Sequence, residues 1–255
     1  MTLIAVVLAI TSACATRRFT PPNASPVPLA ASEAGGIWLD ATRACVAVRS
    51  YNGEIRPSGR VADARVRGLT LFVGVDDQDR MGIEAEAGSR PVFTLKGTTR
   101  QATLWLPQEN RVVEAPAHRM LDAIVGLELG ASRLLALFSG CIASNTTIER
   151  ADRLGQVVRV TTPDAVVYLE RDGEHWMTRA GAFGDLIVDY PQREGEWPDR
   201  ILVRTAEGRV PRVDLSLEVA ARVINREFPP GTFVVSVPAG AVPASVEDLR
   251  LIGSE

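Results

Sequence analysis

The sequence predicts a mainly β domain with a few helices (α+β). Its single antiparallel sheet curls into an incomplete β-barrel, and helices lid the concave side. Three observations carry this. From Glu54 to Glu114, and again from Val157 to Val219, short apolar runs are broken by turn residues at close intervals, the mark of a meander. The stretch VDLSLEV alternates strictly: Val213, Leu215, Leu217 and Val219 face one way, and Asp214, Ser216 and Glu218 the other, as in a sheet with one dry face. Only two short amphipathic helices separate the two sets of strands, so a long sheet must curl to cover its apolar side.

Composition narrows the function. The chain has 255 residues, 46% hydrophobic and only 5% aromatic, so its core is built from Val, Leu, Ile and Ala. Lys96 is the only lysine, and the net charge of −3 argues against a nucleic-acid partner.

Leu3 to Ile10 is an unbroken run of eight apolar residues. A membrane span needs roughly 20, so this run has the length of a signal-peptide core, not of a span. Thr11, Ser12 and Ala13 are small, and Cys14 follows. The stretch resembles the lipobox of bacterial lipoproteins, although Thr11 stands where leucine is usual. That resemblance implies a signal peptide over 1–13 and an acylated Cys14, sorted to the outer membrane because Ala15 is not aspartate. Two alternatives stay open: secretion with cleavage at the A-x-A site Ala13-Cys14-Ala15, and an unexported chain whose first strand is apolar. Residues 14–35, with Pro21, Pro22, Pro26 and Pro28, show no helix or strand period and read as a disordered tether ahead of a domain over 36–255. The sequons at Asn23 and Asn145 are incidental in such a protein.

A helix is expected from Ile37 to Tyr51, with Asn52-Gly53 ending it. Cys45 shares a face with Trp38, Ala41 and Val48, and Cys141 shares one with Leu134 and Phe138, so both point inward. In an oxidising compartment the two could form a disulfide; two buried free thiols are the alternative. Strands are then expected at Leu69 to Val75, Met81 to Glu86, Val92 to Leu95 and Ala102 to Leu106. The lid helices follow. Pro116 starts the first, with Met120, Leu121, Ile124, Val125 and Leu127 on one stripe. Ser132 caps the second, which carries Leu134, Leu135, Phe138 and Cys141. Further strands include a hairpin at Asp172-Gly173.

This order of elements, with TLWLPQENRVVEAP, MLDAIVGLEL, SRLLALFSGC and FPPGTFVVSVPAGAVPASVEDLR, resembles the LolA/LolB-like lipoproteins over residues 36 to 250. The resemblance implies an apolar cavity for acyl chains. Leu104, Trp105 and Leu106 would line it from a strand, and Met120, Leu121, Ile124, Val125, Leu134 and Phe138 from the lid. Phe233, Val235 and Val237 would line it from a closing strand. The early loops VDDQDRM and EAGSRP lack the large apolar tip with which LolB helps deliver cargo, so apolar-ligand binding is better supported than lipoprotein transfer. The implied partners are a lipid or lipoprotein acyl chain, the membrane through the anchor, and an envelope protein. The protein is expected to be a monomer without cofactor or metal.

Little points to catalysis. His118 and His175 read as surface residues, and Asp76-Asp77-Gln78-Asp79 as a hairpin tip that lacks the glycine and distal glutamate of a calcium loop. Ser139-Gly140-Cys141 lacks the nucleophile-elbow pattern. The chain is read as a non-enzyme. Its rivals are an accessory lipoprotein whose interior is filled by its own side chains, and a hydrolase with an unrecognised site.

Overall fold

The computed structural model describes residues 18–143, 146–210 and 212–252. The expected signal peptide, Cys14 and Asn145 lie outside them. The chain opens with β1 (Val27–Pro28) and α1 (Ala31–Thr42). Seven strands follow: β2 (Ser50–Val61), β3 (Ala64–Val66), β4 (Leu69–Asp76), β5 (Arg80–Ala87), β6 (Arg90–Thr98), β7 (Ala102–Leu106) and β8 (Arg111–Ala115). The helices α2 (Ala117–Val125) and α3 (Ala131–Ser139) interrupt the sheet. It resumes with β9 (Arg150–Leu154), β10 (Val157–Thr161), β11 (Ala165–Asp172), β12 (His175–Phe183), β13 (Leu186–Glu194), β14 (Trp197–Thr205) and β15 (Val213–Ile224). A final strand β16 (Val242–Ala244) and helix α4 (Val246–Ile252) close the chain.

All sixteen strands belong to one sheet. The meander β9 to β15 joins the meander β2 to β8 through the long pair β15–β2, in which Ile224 faces Tyr51 and Val213 faces Val61. The ends, β1 and β16, do not pair with each other, so the sheet is open. It is antiparallel throughout except where β16 runs parallel to β8. Along the first half of β15 alternate residues are buried, as the pattern of VDLSLEV requires. One contiguous core joins the inner face of both meanders to the helices: Tyr51, Ile55, Leu95, Leu104, Val167, Tyr190 and Ile201 are each no more than 2% exposed.

The N-terminal region differs from its sequence reading in two ways. The stretch expected to be a tether is packed from Arg18 onward. The Phe19 N–H donates to Asp189 at 3.2 Å, its ring meets Tyr168 at 5.1 Å, and β1 pairs with β9. Prolines do not prevent this, because an edge strand can leave a donor unused. The helix expected from Ile37 to Tyr51 lies earlier, as α1, and stops at Arg43; a 310 turn, Cys45–Ala47, and extended Val48 lead into β2. Cys45 thus sits half-buried on a turn, not inward on a helix. Asn52-Gly53 ends nothing; it lies inside β2. Gly53 is required there because the Tyr51 ring folds over it: a Cβ would lie 2.6 Å from the Tyr51 hydroxyl.

The expected closing strand is also absent. Phe233, Val235 and Val237 lie in an irregular strap, 225–241, that runs from the end of β15 to β16. Phe233 packs edge-on to Phe228 at 4.8 Å, beneath Arg80, above the places where side chains of Gly74 and Gly82 would project. That is the convex face, since the flanking Val73, Val75, Met81 and Ile83 point into the core. Pro229, Pro230 and Pro238 deny the strap a continuous ladder.

Candidate functional site

The concave face and its lid form the candidate site. Pro116 starts α2 and Gly126, in the left-handed region at φ 69°, ends it. Gly130 precedes α3, whose first free N–H, at Ala131, donates to the Thr99 hydroxyl at 2.9 Å. Thr99 therefore supplies the cap that the sequence reading gave to Ser132. Gly140, at φ 73°, ends α3 and turns the chain into Cys141.

Of the residues expected to line the cavity, Leu104, Leu106, Met120, Leu121, Leu134 and Phe138 do face the concave side and are buried. Ile124 and Val125 are half-buried at the margin of the same cluster. Trp105 is a correction: it alternates with Leu104 and Leu106 and so lies on the other face of β7, half-exposed. Phe233 is on the convex side, as described above, and Val235 lies half-buried in the same strap.

Two tyrosines that the sequence reading passed over hold the lid. The Tyr190 hydroxyl donates to the Leu137 carbonyl at 3.1 Å, joining β13 to α3. Tyr51 stacks on Phe138, yet its hydroxyl, fully buried, has no hydrogen-bond partner. Burial pushes both phenols up, far above the ordinary tyrosine range. Cys45 and Cys141 are joined in a disulfide that ties the C-terminal end of α3 to the turn after α1.

Two cavities lie at the rim, neither of them between the lid and the middle of the sheet. The first is a half-open cleft of about 250 Å³ beside the disulfide, walled by α1, the ends of β12 to β14 and the end of α3. Arg43 spans it, donating to Glu196 at 3.0 Å and bonding His175 Nδ1 at 2.9 Å. Burial alone would raise the Asp40 carboxyl, but the Trp176 N–H, His175 and Arg43 outweigh it and hold Asp40 below its usual range. Arg193 donates to the Glu196 carbonyl at 2.6 Å and to the Thr178 carbonyl, with its guanidinium over the Tyr190 ring; burial lowers its pKa. These charges satisfy one another and clamp α1 onto the hairpins. His175 is exposed, as the sequence predicts, and takes part in this clamp. The second cavity, about 300 Å³ and more open, lies by Thr99, His118, Glu128 and Arg133 at the turn between α2 and α3. There His118 Nδ1 lies 3.2 Å from the Thr99 carbonyl. Among the described residues no three His, Cys, Asp or Glu side chains gather as metal ligands, and no helix is long and apolar enough to cross a membrane.

No protein-family model and no curated protein matches this chain. Solved structures do. A LolA superfamily protein from Nitrosomonas europaea superposes with a TM-score of 0.54 at 11% identity, covering 79% of this chain and 97% of that one. A domain described as an outer membrane lipoprotein-sorting protein, from Vibrio parahaemolyticus, gives 0.47 at 10% identity over 79% and 97%. The lipoprotein LppX of Mycobacterium tuberculosis gives 0.33 at 10% identity over 82% and 100%. The chain has the LolA-like fold that the first of these displays, a curved and unclosed sheet with a helical lid.

Proposed function

We propose that this chain is a non-catalytic, lipid-anchored protein of the bacterial cell envelope. It binds an acyl chain or similar apolar moiety between its helical lid and the concave sheet, in lipid or lipoprotein trafficking at the periplasmic face of the outer membrane. One observation carries the reading: the concave apolar face is covered by short helices joined through Gly126 and Gly130, where a sandwich would place a second sheet. Such a cover can be displaced without breaking a ladder of strands.

The energies are comparable. Exposing Met120, Leu121, Leu134, Leu137 and Phe138 would cost about 8–15 kcal/mol together, at about 1.5–3 kcal/mol for each buried side chain. A guest acyl chain of roughly fifteen methylenes returns about 12 kcal/mol at about 0.8 kcal/mol each. Exchange of lid for tail is therefore near balance, as reversible carriage needs. The unpaired Tyr51 hydroxyl is a ready donor for the carbonyl of a guest ester. The Cys45–Cys141 disulfide favours an exported protein, since such bonds persist in oxidising compartments. The anchor at Cys14 rests on the lipobox resemblance.

The test is lipid extraction and mass spectrometry of the purified protein, with displacement of a fluorescent fatty acid. Co-purified lipid and a saturable, displaceable probe are expected. Absence of both overturns the binding reading in favour of the second one, a monomeric accessory subunit of an envelope complex. That reading is favoured by one feature, an interior already filled by the chain's own side chains.

A further inference from the structure

Positive charge collects at one end of the convex face, although the chain as a whole carries −3. Four strands present directly opposed residues there: Arg65 on β3 faces Arg60 on β2, Arg60 faces Asp214 on β15, and Asp214 faces Arg204 on β14. Opposed residues share a face, and the neighbouring Val203 and Val213 are buried in the core, so this row points outward. Arg18 lies across it in an ion pair with Asp214. Arg67 follows β3, and Arg212 adjoins the hairpin, its carbonyl accepting from the Ala62 N–H at 2.7 Å. Against these arginines stand the carboxylates of Asp63, Glu207 and Asp214, together with Asp189, which lies in the field of Arg18 and Arg204. Arg65, Arg67 and Arg212 make no ion pair among the described residues.

The described chain enters here. From Phe19, held by Asp189 on β13, it runs back to Arg18 over Asp214 on β15. Cys14 is four residues further upstream, and four residues reach at most about 14 Å. An acyl group on Cys14 would therefore hold this end of the molecule against the bilayer. We propose that the outer face of the β2–β3 hairpin and the β14–β15 end, centred on Arg60, Arg65 and Arg204, docks on anionic phospholipid head groups. The proposal rests on the anchored reading of Cys14 for its geometry, and on the arginines alone for its chemistry.

The lid is oriented to match. Gly184, in the turn after β12, lies against Arg133 near the start of α3, and Arg209 bridges Asp122 of α2 and Asp185. The turn between α2 and α3 therefore opens towards the basic end. The disulfide and its cleft lie at the opposite end, beside the β11–β12 turn. This end of the lid, held by polar contacts and not by the disulfide, would face the membrane, where a tail would enter.

The test uses the full chain purified from the membrane fraction, whose intact mass first reports whether Cys14 is acylated. A dye is attached at Asp63→Cys, with Glu174→Cys at the far turn as control, and the protein is reconstituted in vesicles bearing quencher head groups. Each arginine near an anionic surface favours contact by about fivefold. Adding one-third phosphatidylglycerol (roughly, to set the surface charge) to phosphatidylcholine should therefore strengthen quenching at position 63 severalfold and leave position 174 unchanged. High salt or the pair Arg60→Glu and Arg65→Glu should abolish the gain. Equal quenching at position 63 in both vesicles overturns the proposal and leaves an acidic protein as the occupant to seek. If the mass shows no acyl chain, the anchor fails by itself. The same protein is then sedimented with both vesicles: pelleting only with phosphatidylglycerol upholds the basic face, and no pelleting overturns it.

Discussion

The Tyr51 ring lies against that of Phe138, with centroids 5.2 Å apart and planes 19° from parallel, so the central strand β2 and the lid helix α3 meet through two aromatic faces. The contact contributes dispersion and burial, but the Tyr51 hydroxyl inside it is unpaired. A buried polar group without a partner costs about 1–3 kcal/mol. Tyr51→Phe keeps the stack and removes the cost. A rise in Tm of about 2–4 °C per kcal/mol recovered is expected for a chain of this size. If the hydroxyl donates to a guest carbonyl, the same variant loses affinity for a fatty-acid ester while gaining stability, a split that calorimetry and probe displacement read together.

Gly53→Ala attacks the same stack from below. The new methyl would sit 2.6–2.8 Å from the hydroxyl and two ring carbons of Tyr51, which is fully buried and has nowhere to move. Overpacking of this kind costs about 1–3 kcal/mol. The urea midpoint should fall, and the combination with Tyr51→Ala should restore much of what Gly53→Ala alone loses relative to its background, as a double-mutant cycle would report.

Removing the disulfide tests what ties the lid. Cys45 and Cys141 are separated by 96 positions, and closing so long a loop is worth about 4–5 kcal/mol in the chain-entropy model. The double variant Cys45→Ser, Cys141→Ser should melt about 8–20 °C lower. Hydrogen exchange should rise more in the second half of α3 than in α2, because α2 is held separately by α4. Equal loss of protection in both helices would argue against an independently tied lid.

Phe233→Ala separates the convex strap from the concave site. The ring is half-buried between Phe228, Arg80 and two strand glycines. Its loss should cost less than the roughly 3–5 kcal/mol of a core phenylalanine and leave apolar-probe affinity unchanged. Phe138→Ala should cost the full amount and alter probe affinity.

Much of the architecture is readable from residue order, and the failures share a cause. Period-2 runs such as VDLSLEV show strand and face, because alternation is a property of one strand and needs no neighbour; the partners of β15, which are β14 and β2, are visible only in the structure. The lid stripe was legible for the same reason at period 3.6, and Met120, Leu121, Leu134 and Phe138 lie where it puts them. Trp105 failed because a family pattern was read past its own alternation with Leu104 and Leu106. Phe233 and Val235 looked like a strand, but the prolines around them and the bare backbone at Gly74 and Gly82, far away in sequence, make a strap instead. Asn52-Gly53 reads as a turn signal that ends a helix at Tyr51; only the folded ring explains the glycine. Proline-rich 18–30 looked unstructured because its partners, Asp189, Tyr168 and β9, are more than a hundred residues away.

Asp152 offers a pH test of that N-terminal docking. Its carboxylate is fully buried under β1, opposite Pro28, and accepts from Arg159 at 2.7 Å and Arg150 at 3.0 Å. The Arg159 hydrogen bond, with help from Arg150, outweighs burial and holds its pKa below the usual value of 3.8. A carboxyl whose folded pKa is depressed adds stability above its unfolded pKa, and the contribution is lost as pH falls through the folded value. Asp152→Asn keeps the shape and removes the charge. At pH 6 the variant should be less stable by about 1.5–3 kcal/mol, the range for hydrogen bonds to charged groups. The gap should be constant down to about pH 4 and close below it, while both proteins lose stability through their other acids. Limited proteolysis after residue 18 should follow the same course, with β1 released first in Asp152→Asn. A gap that stays constant down to the lowest pH at which both proteins remain folded would mean that the carboxylate charge contributes nothing there.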